Sequence, residues 1–247
     1  MRTVVKTTDS ENIDQKVIDE AAAILKKGGL VAFPTETVYG LGANGLDSNA
    51  CRKIYEAKGR PSDNPLILHI GEIEQLEEIA DDIPDCAEQL MDAFWPGPIT
   101  IIFKKKSIVP DSVTGNFGTV AVRFPSNKIA RSLINAAGVP IAAPSANTSG
   151  RPSPTTAQHV AEDLTGRVDM IVDGGAVEIG VESTILDVTV EPPMILRPGA
   201  ITKEMFEEVI GEVTVDRTLI RPDSKQVPNE VPSLCTKSRS DDHRRTA

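Results

Sequence analysis

The chemistry-bearing residues of this chain gather in a few short segments, and Lys58-Gly59-Arg60-Pro61-Ser62-Asp63-Asn64-Pro65 is the most telling of them. Two prolines and a glycine restrict the backbone there, and the restricted loop carries two cations. Such a loop can grip phosphate oxygens, with Arg60 offering a planar fork and Lys58 a point charge. The same residues equally suit a solvated turn with ordinary surface charges. No GxxxxGK[ST] segment occurs, so ATP would be held by something other than a Walker loop.

Residues 34–45 form a second segment, dense in hydroxyls and glycines after an apolar run. Thr35 and Thr37 stand where a loop leaving a strand presents side chains to a ligand. Gly40, Gly42 and Gly45 spell the dinucleotide fingerprint by letter, yet that fingerprint needs its first glycine at the strand end. Six residues separate Phe33 from Gly40, so the fingerprint reading is weak, and a tight loop is the better account of Gly45.

Residues 139–153 again empty a short apolar run into hydroxyls and an amide, Ser145, Asn147, Thr148 and Ser149. Ser153 then reads as a helix cap with Pro154 in the first turn, and the N–H groups of that turn offer an anion site. A polar capping loop is the plainer alternative. Arg123 ends the apolar run 119–123, an unfavourable place for a charge without an anionic partner. Ser183 and Arg197 flank further short runs, and no GxSxG elbow supports hydrolysis through Ser183. His69 lies near the end of an apolar run, where a lone histidine suits a satisfied core position.

The elements that must position these side chains alternate along the chain. Val- and Ile-rich runs at 3–6, 30–33, 66–70, 99–103, 119–123, 140–143, 169–172, 183–188 and 194–196 predict strands. Helical spacing predicts helices over 14–27, 48–57, 72–80, 85–94, 128–137, 155–164 and 203–210, the first closed by Gly28-Gly29. Strands separated by helices give an α/β fold. Their irregular spacing favours a mixed, twisted sheet over a regular doubly wound one.

Composition sets the outer limits. The formal net charge is −10, and residues 1–216 carry 19 Lys and Arg against 32 Asp and Glu. So acidic a body is unsuited to gripping nucleic acid over a wide face, although a local basic pocket is compatible with it. The scattered cysteines Cys51, Cys86 and Cys235 form no CxxC pair, which argues against a disulfide framework or a zinc site. No apolar stretch reaches a membrane span, and residues 1–14 lack the apolar stretch of a secretory signal, so a cytoplasmic protein is expected. After residue 216 the apolar residues are isolated and the chain ends in a polar run, which predicts a linker and a disordered tail over 213–247.

Taken together, several segments resemble the YrdC-like family, the threonylcarbamoyl-AMP synthases. They are Phe33-Pro34-Thr35-Glu36-Thr37-Val38-Tyr39-Gly40-Leu41, Lys58-Gly59-Arg60 with Asn64-Pro65-Leu66, Arg123-Phe124-Pro125, Pro144-Ser145-Ala146-Asn147, Glu182-Ser183-Thr184 and Arg197-Pro198-Gly199. The resemblance spans residues 10–212 and implies a YrdC-like catalytic domain over 1–212, its twisted mixed sheet flanked by helices around a concave basic pocket. It implies a nucleotidyltransferase that condenses L-threonine, bicarbonate and ATP, with Mg2+, into threonylcarbamoyl-AMP and pyrophosphate. A separate tRNA-modifying transferase complex would use the product, with tRNA contact by this chain weak or indirect.

By position, Thr37, His69, Arg123 and Ser183 would hold threonine, Arg123 pairing its carboxylate. Lys58, Arg60, Asn64, Thr119, Ser145, Asn147, Ser153 and Arg197 would hold ATP, with Lys58 and Arg60 at the reacting phosphates and no protein metal ligands. Longer members continue through a linker with a tyrosine into a second domain. Here the last tyrosine is Tyr55 and 31 residues follow Asp216, so the chain resembles a long form without that domain, or a single-domain form. The competing expectation is a module that binds tRNA or double-stranded RNA without synthase activity.

Overall fold

The computed structural model describes residues 2–220. From the N-terminus these form β1 (Val4–Thr7), α1 (Gln15–Lys26), β2 (Val31–Pro34), β3 (Tyr39–Asn44), α2 (Ser48–Lys58), β4 (Ile67–His69) and α3 (Glu74–Ile79). There follow β5 (Ala80–Asp81), α4 (Asp85–Phe94), β6 (Ile99–Lys105), α5 (Asp111–Thr114), β7 (Thr119–Arg123), α6 (Lys128–Ala137) and β8 (Ile141–Ala142). The last are α7 (Ala157–Leu164), β9 (Met170–Asp173), β10 (Thr184–Asp187), β11 (Met194–Arg197), α8 (Lys203–Ile210), β12 (Thr214–Val215) and a 3-10 turn, Arg217–Ile220.

The strands make one mixed sheet in the order β1-β9-β2-β3-β8-β4-β7-β6-β10-β11-β12, with β5 on β6. Period-2 alternation sends successive side chains to opposite faces. In β2, Ala32 faces one apolar layer with Ile54, Val160 and Leu164, whereas Val31 and Phe33 face another, built on α1 and α6. Ile18, Leu25, Ile129 and Leu133 are fully buried in that second layer. Each such side chain stabilises the fold by about 1.5–3 kcal/mol relative to exposure.

Local chemistry sets the helix ends. The Asp47 carboxylate accepts from the backbone N–H of Asn49 and Ala50 to start α2, and Gly59 ends it at φ 63°. Asn127 and Gly138 play the same parts for α6. Among the described residues no helix is long and apolar enough to cross a membrane.

Three expectations are corrected. Residues 39–44 form a strand, not a loop: Tyr39, Leu41 and Ala43 point into one core, and Gly40 and Gly42 face the other side. A Cβ on Gly42 would lie 2.8 Å from Phe33 Cε1 and 2.9 Å from Ile141 Cγ2, so these glycines serve strand packing. The helix expected from 155 starts at Ala157 with Thr156 as its cap; Pro154 instead accepts the Tyr39 N–H at 2.9 Å and stays extended. The sheet also continues past residue 212, because Thr214 and Val215 pair with β11. The tail expected at 221–247 lies outside the described residues.

Candidate active site

Where strands end together, the sheet leaves a pocket. Its lining includes Thr35, Thr37, Arg60, His69, Arg123, Ser145, Glu182, Ser183 and Arg197. The parallel pairing of β4 and β7 puts His69 directly opposite Arg123 at the strand ends. Thr35 and Thr37 follow β2, with their hydroxyl oxygens 3.0 Å apart. Across the sheet, β6 brings Thr100 beside both Arg123 and Ser183; the Thr100 and Ser183 hydroxyls lie 2.8 Å apart.

Arg123 finds its anionic partner in Glu36. Their side chains are only 5% and 4% exposed, and Nη2 approaches Oε1 to 2.7 Å. The approach is off hydrogen-bond geometry: both Glu36 oxygens and Arg123 Nε and Nη2 have no hydrogen-bond partner among the described residues. Burial, and then the neighbouring Arg123 charge, hold His69 down at about 3, so its ring is neutral at physiological pH. Its Nδ1 lies 3.2 Å from the Ile67 carbonyl, and its ring stands edge-on to Phe33.

Arg197 is bound from two sides. Nε donates to the Ser183 carbonyl at 3.1 Å, Nη2 donates to the Ser183 hydroxyl at 3.1 Å, and Nη1 pairs with Glu182. Burial lowers the Arg197 pKa, and the Glu182 carboxylate opposes that fall. Glu182 also accepts from the Ser153 hydroxyl at 2.8 Å. Gly199 permits this close folding, since a Cβ there would sit 2.5 Å from both Glu182 O and Thr184 N.

Lys58 is buried at the end of α2, with its ammonium directed at the next loop. Nζ donates to the Ser145 carbonyl and, at 2.5 Å, to the Asn147 carbonyl. The Ser149 N–H returns a bond to the Lys58 carbonyl at 2.9 Å. Asn147 Nδ2 donates to Thr148 and Arg151 carbonyls, and Asp163 on α7 accepts from Thr148, so the loop is tied at several points.

The sequence-predicted residues therefore divide. Thr37, Arg60, His69, Arg123, Ser145, Ser183 and Arg197 share the pocket lining. Thr119 lines an adjoining apolar slot with Phe117, Pro65 and Ile67. Lys58, Asn147 and Ser153 are bonded into the walls, and Asn64 is buried outside the lining. Sequence reasoning missed Glu36 and Glu182 as the partners of the two arginines. The need was legible, because a buried Arg123 demands a carboxylate, but nothing in the sequence singles out Glu36 as its supplier.

Residues 23–199 match the Sua5_yciO_yrdC family, described as Telomere recombination. The threonylcarbamoyl-AMP synthase of Pyrococcus abyssi is 56% identical over 205 residues, which are 83% of this chain and 60% of that protein. That of Bacillus subtilis is 52% identical over 227 residues, 92% of this chain and 66% of that protein. The chain thus spans less than two thirds of the length of either relative. The crystal structure of P. abyssi Sua5 complexed with L-threonine superposes with a TM-score of 0.86 at 51% identity, over 92% of this chain and 66% of that one. The chain therefore belongs to the Sua5/YciO/YrdC family.

Proposed function

We propose that the chain condenses L-threonine, bicarbonate and ATP into threonylcarbamoyl-AMP, releasing pyrophosphate and water. The observation that carries this reading is the convergence of Arg60, Arg123 and Arg197 on one pocket with Thr37, His69, Ser145 and Ser183. Guanidiniums gathered in one cavity suit a ligand that brings carboxylate and phosphate oxygens together. The names of two relatives and the threonine bound by P. abyssi Sua5 support the choice of substrates.

In this reading Arg123 pairs the threonine carboxylate, beside Thr37, His69 and Ser183. Arg60, Arg197 and Ser145 face the phosphates, and the adjoining slot with Phe117 and Thr119 suits the base. The threonine amine attacks the bicarbonate carbon and water leaves. A carbamate oxygen then attacks the α-phosphorus, its bond to the bridging oxygen breaks, and pyrophosphate departs. Negative charge grows on the phosphoryl oxygens and the leaving group, where preset cations stabilise it more than they stabilise the substrates. Holding the reactants in line accounts for much of the remaining work. The buried Lys58 acts from behind, by fixing the loop that carries Ser145.

Among the described residues no group of three His, Cys, Asp or Glu side chains could hold a metal ion. Magnesium would enter with the ATP phosphates and supply charge neutralisation there. The activated carbamate would then pass to a tRNA-modifying transferase complex.

Pyrophosphate release tests the reading, with threonine, bicarbonate and ATP omitted in turn. Release should need all three and should not accept serine in place of threonine. Release that ignores threonine would overturn the proposal. Tight, salt-steep tRNA binding without turnover would favour the RNA-binding module instead.

A further inference from the structure

The Glu36–Arg123 pair has a property that burial alone does not explain. A buried carboxylate whose two oxygens lack hydrogen bonds is costly, and so is a buried guanidinium with idle donors. Here the two costly groups touch at 2.7 Å, each almost wholly buried, at the edge of the pocket. The contact balances charge through Nη2 and leaves the Arg123 Nε without a hydrogen-bond partner among the described residues. The Glu36 backbone is held separately: its carbonyl accepts from Ile179 N–H at 3.0 Å, and Thr37 accepts from Gly180 N–H at 3.0 Å. The Glu36 backbone is therefore fixed, and its carboxylate stands against the Arg123 guanidinium.

We infer that Glu36 is a positioning residue for the amino-acid half of the reaction, a role that rests on the substrate reading above. It keeps Arg123 charged inside the protein and holds its head at the pocket wall, where the substrate carboxylate is received. Glu36 itself does not line the pocket and does not touch the substrate. Neutral His69, opposite Arg123 on β4, supplies no competing charge. The acidic partner thus serves threonine capture and leaves the phosphate end to Arg60 and Arg197.

The test is Glu36→Gln, read by steady-state kinetics and by side-chain NMR of 15N-arginine protein, with Arg123→Lys used to assign the Arg123 Nε–H signal. Loss of one charge-assisted partner predicts a threonine KM raised about tenfold, with the ATP KM within about twofold of the native value. The Arg123 signal should broaden or vanish, and the thermal midpoint should fall because a buried guanidinium loses its counter-charge. If Glu36→Gln fails to fold, Glu36→Asp, which keeps the charge but withdraws it, should show the same split in weaker form. An unchanged Arg123 signal, or threonine and ATP KM rising together, overturns the role. A native chain with no threonine-dependent turnover, whose Arg123 signal still depends on Glu36, overturns the substrate reading and leaves the pairing standing.

Discussion

The ammonium of Lys58 lies 2.5 Å from the carbonyl oxygen of Asn147 and also bonds that of Ser145, so the end of α2 is fastened to the loop after β8. The Ser149 N–H answers with a bond to the Lys58 carbonyl. A cation and a backbone strap thus act as one joint, with Arg60 carried just beyond it.

Replacing Lys58 by Met keeps the stem and removes the donors. The buried Asn147 carbonyl and the half-buried Ser145 carbonyl then lose this partner, which predicts a stability loss of about 1–3 kcal/mol in urea unfolding. Turnover, measured as pyrophosphate release, should fall on the order of a hundredfold, because the loop that places Ser145 loses its anchor. Arg60→Lys should lower turnover without the stability loss, because a point charge cannot replace a fork at the pocket wall. Near-normal rates in both variants would remove this region from the mechanism.

Glu182→Ala should be costly in another way. It strands Arg197, which burial already disfavours, and also frees the Ser153 hydroxyl. Breaking such a pair predicts a loss of about 3 kcal/mol. Glu182→Gln, which keeps an acceptor, should lose less. Equal denaturation midpoints for the two variants would contradict this account.

The histidine predicts a pH dependence of stability. Folded, His69 stays neutral down to about 3, whereas the unfolded chain takes up a proton near 6.5. Between those values the unfolded state binds more protons, so this group weakens the fold progressively as pH falls below 6.5 and has no effect above it. His69→Gln should therefore lose less stability than the native chain between pH 7.5 and 5. Parallel melting-temperature curves for the two proteins would count against the buried neutral ring.

Gly45 and Gly59 should respond differently to alanine. A Cβ on Gly45 would meet Leu68 Cδ2 at 2.5 Å and the Pro140 carbonyl oxygen at 2.8 Å, a clash with backbone that predicts a loss of about 1–3 kcal/mol. Gly59 has open space around it, and its φ of 63° makes left-handed strain, about 1–2 kcal/mol, the whole cost. Gly45→Ala should also loosen β3 against β8, which hydrogen exchange of Ala43 and Ala142 would report.

Much of this architecture is legible in the residues. α4, β7, α6 and α8 fall at the bounds that spacing and caps predict, because each has a clean apolar period with a proline, asparagine, glycine or threonine at an end. β3 was hidden by its glycines, which read as loop residues until Phe33 and Ile141 are seen filling the space above them. The two-residue strands β5 and β12 carry no period at all. For the site, the need of Arg123 for an anion was visible, but its supplier lies 87 positions away, where no local pattern reaches. The direction of Lys58 was hidden too: a cation beside a glycine reads as exposed, and only the folded loop reveals carbonyls waiting for it.

The pairing of β1 with β9, Val4 against Met170, carries a consequence for the birth of the molecule. As the chain leaves the ribosome, Lys58 emerges long before Ser145 and Asn147, and Glu36 long before Arg123. Each of these buried charges must wait in water for a partner still being translated, and Arg197 arrives last of the pocket arginines. The first strand cannot find its neighbour until residues 170–173 have been made. So high a share of distant contacts makes completion of the pocket a late and comparatively slow event, set by the topology of the sheet.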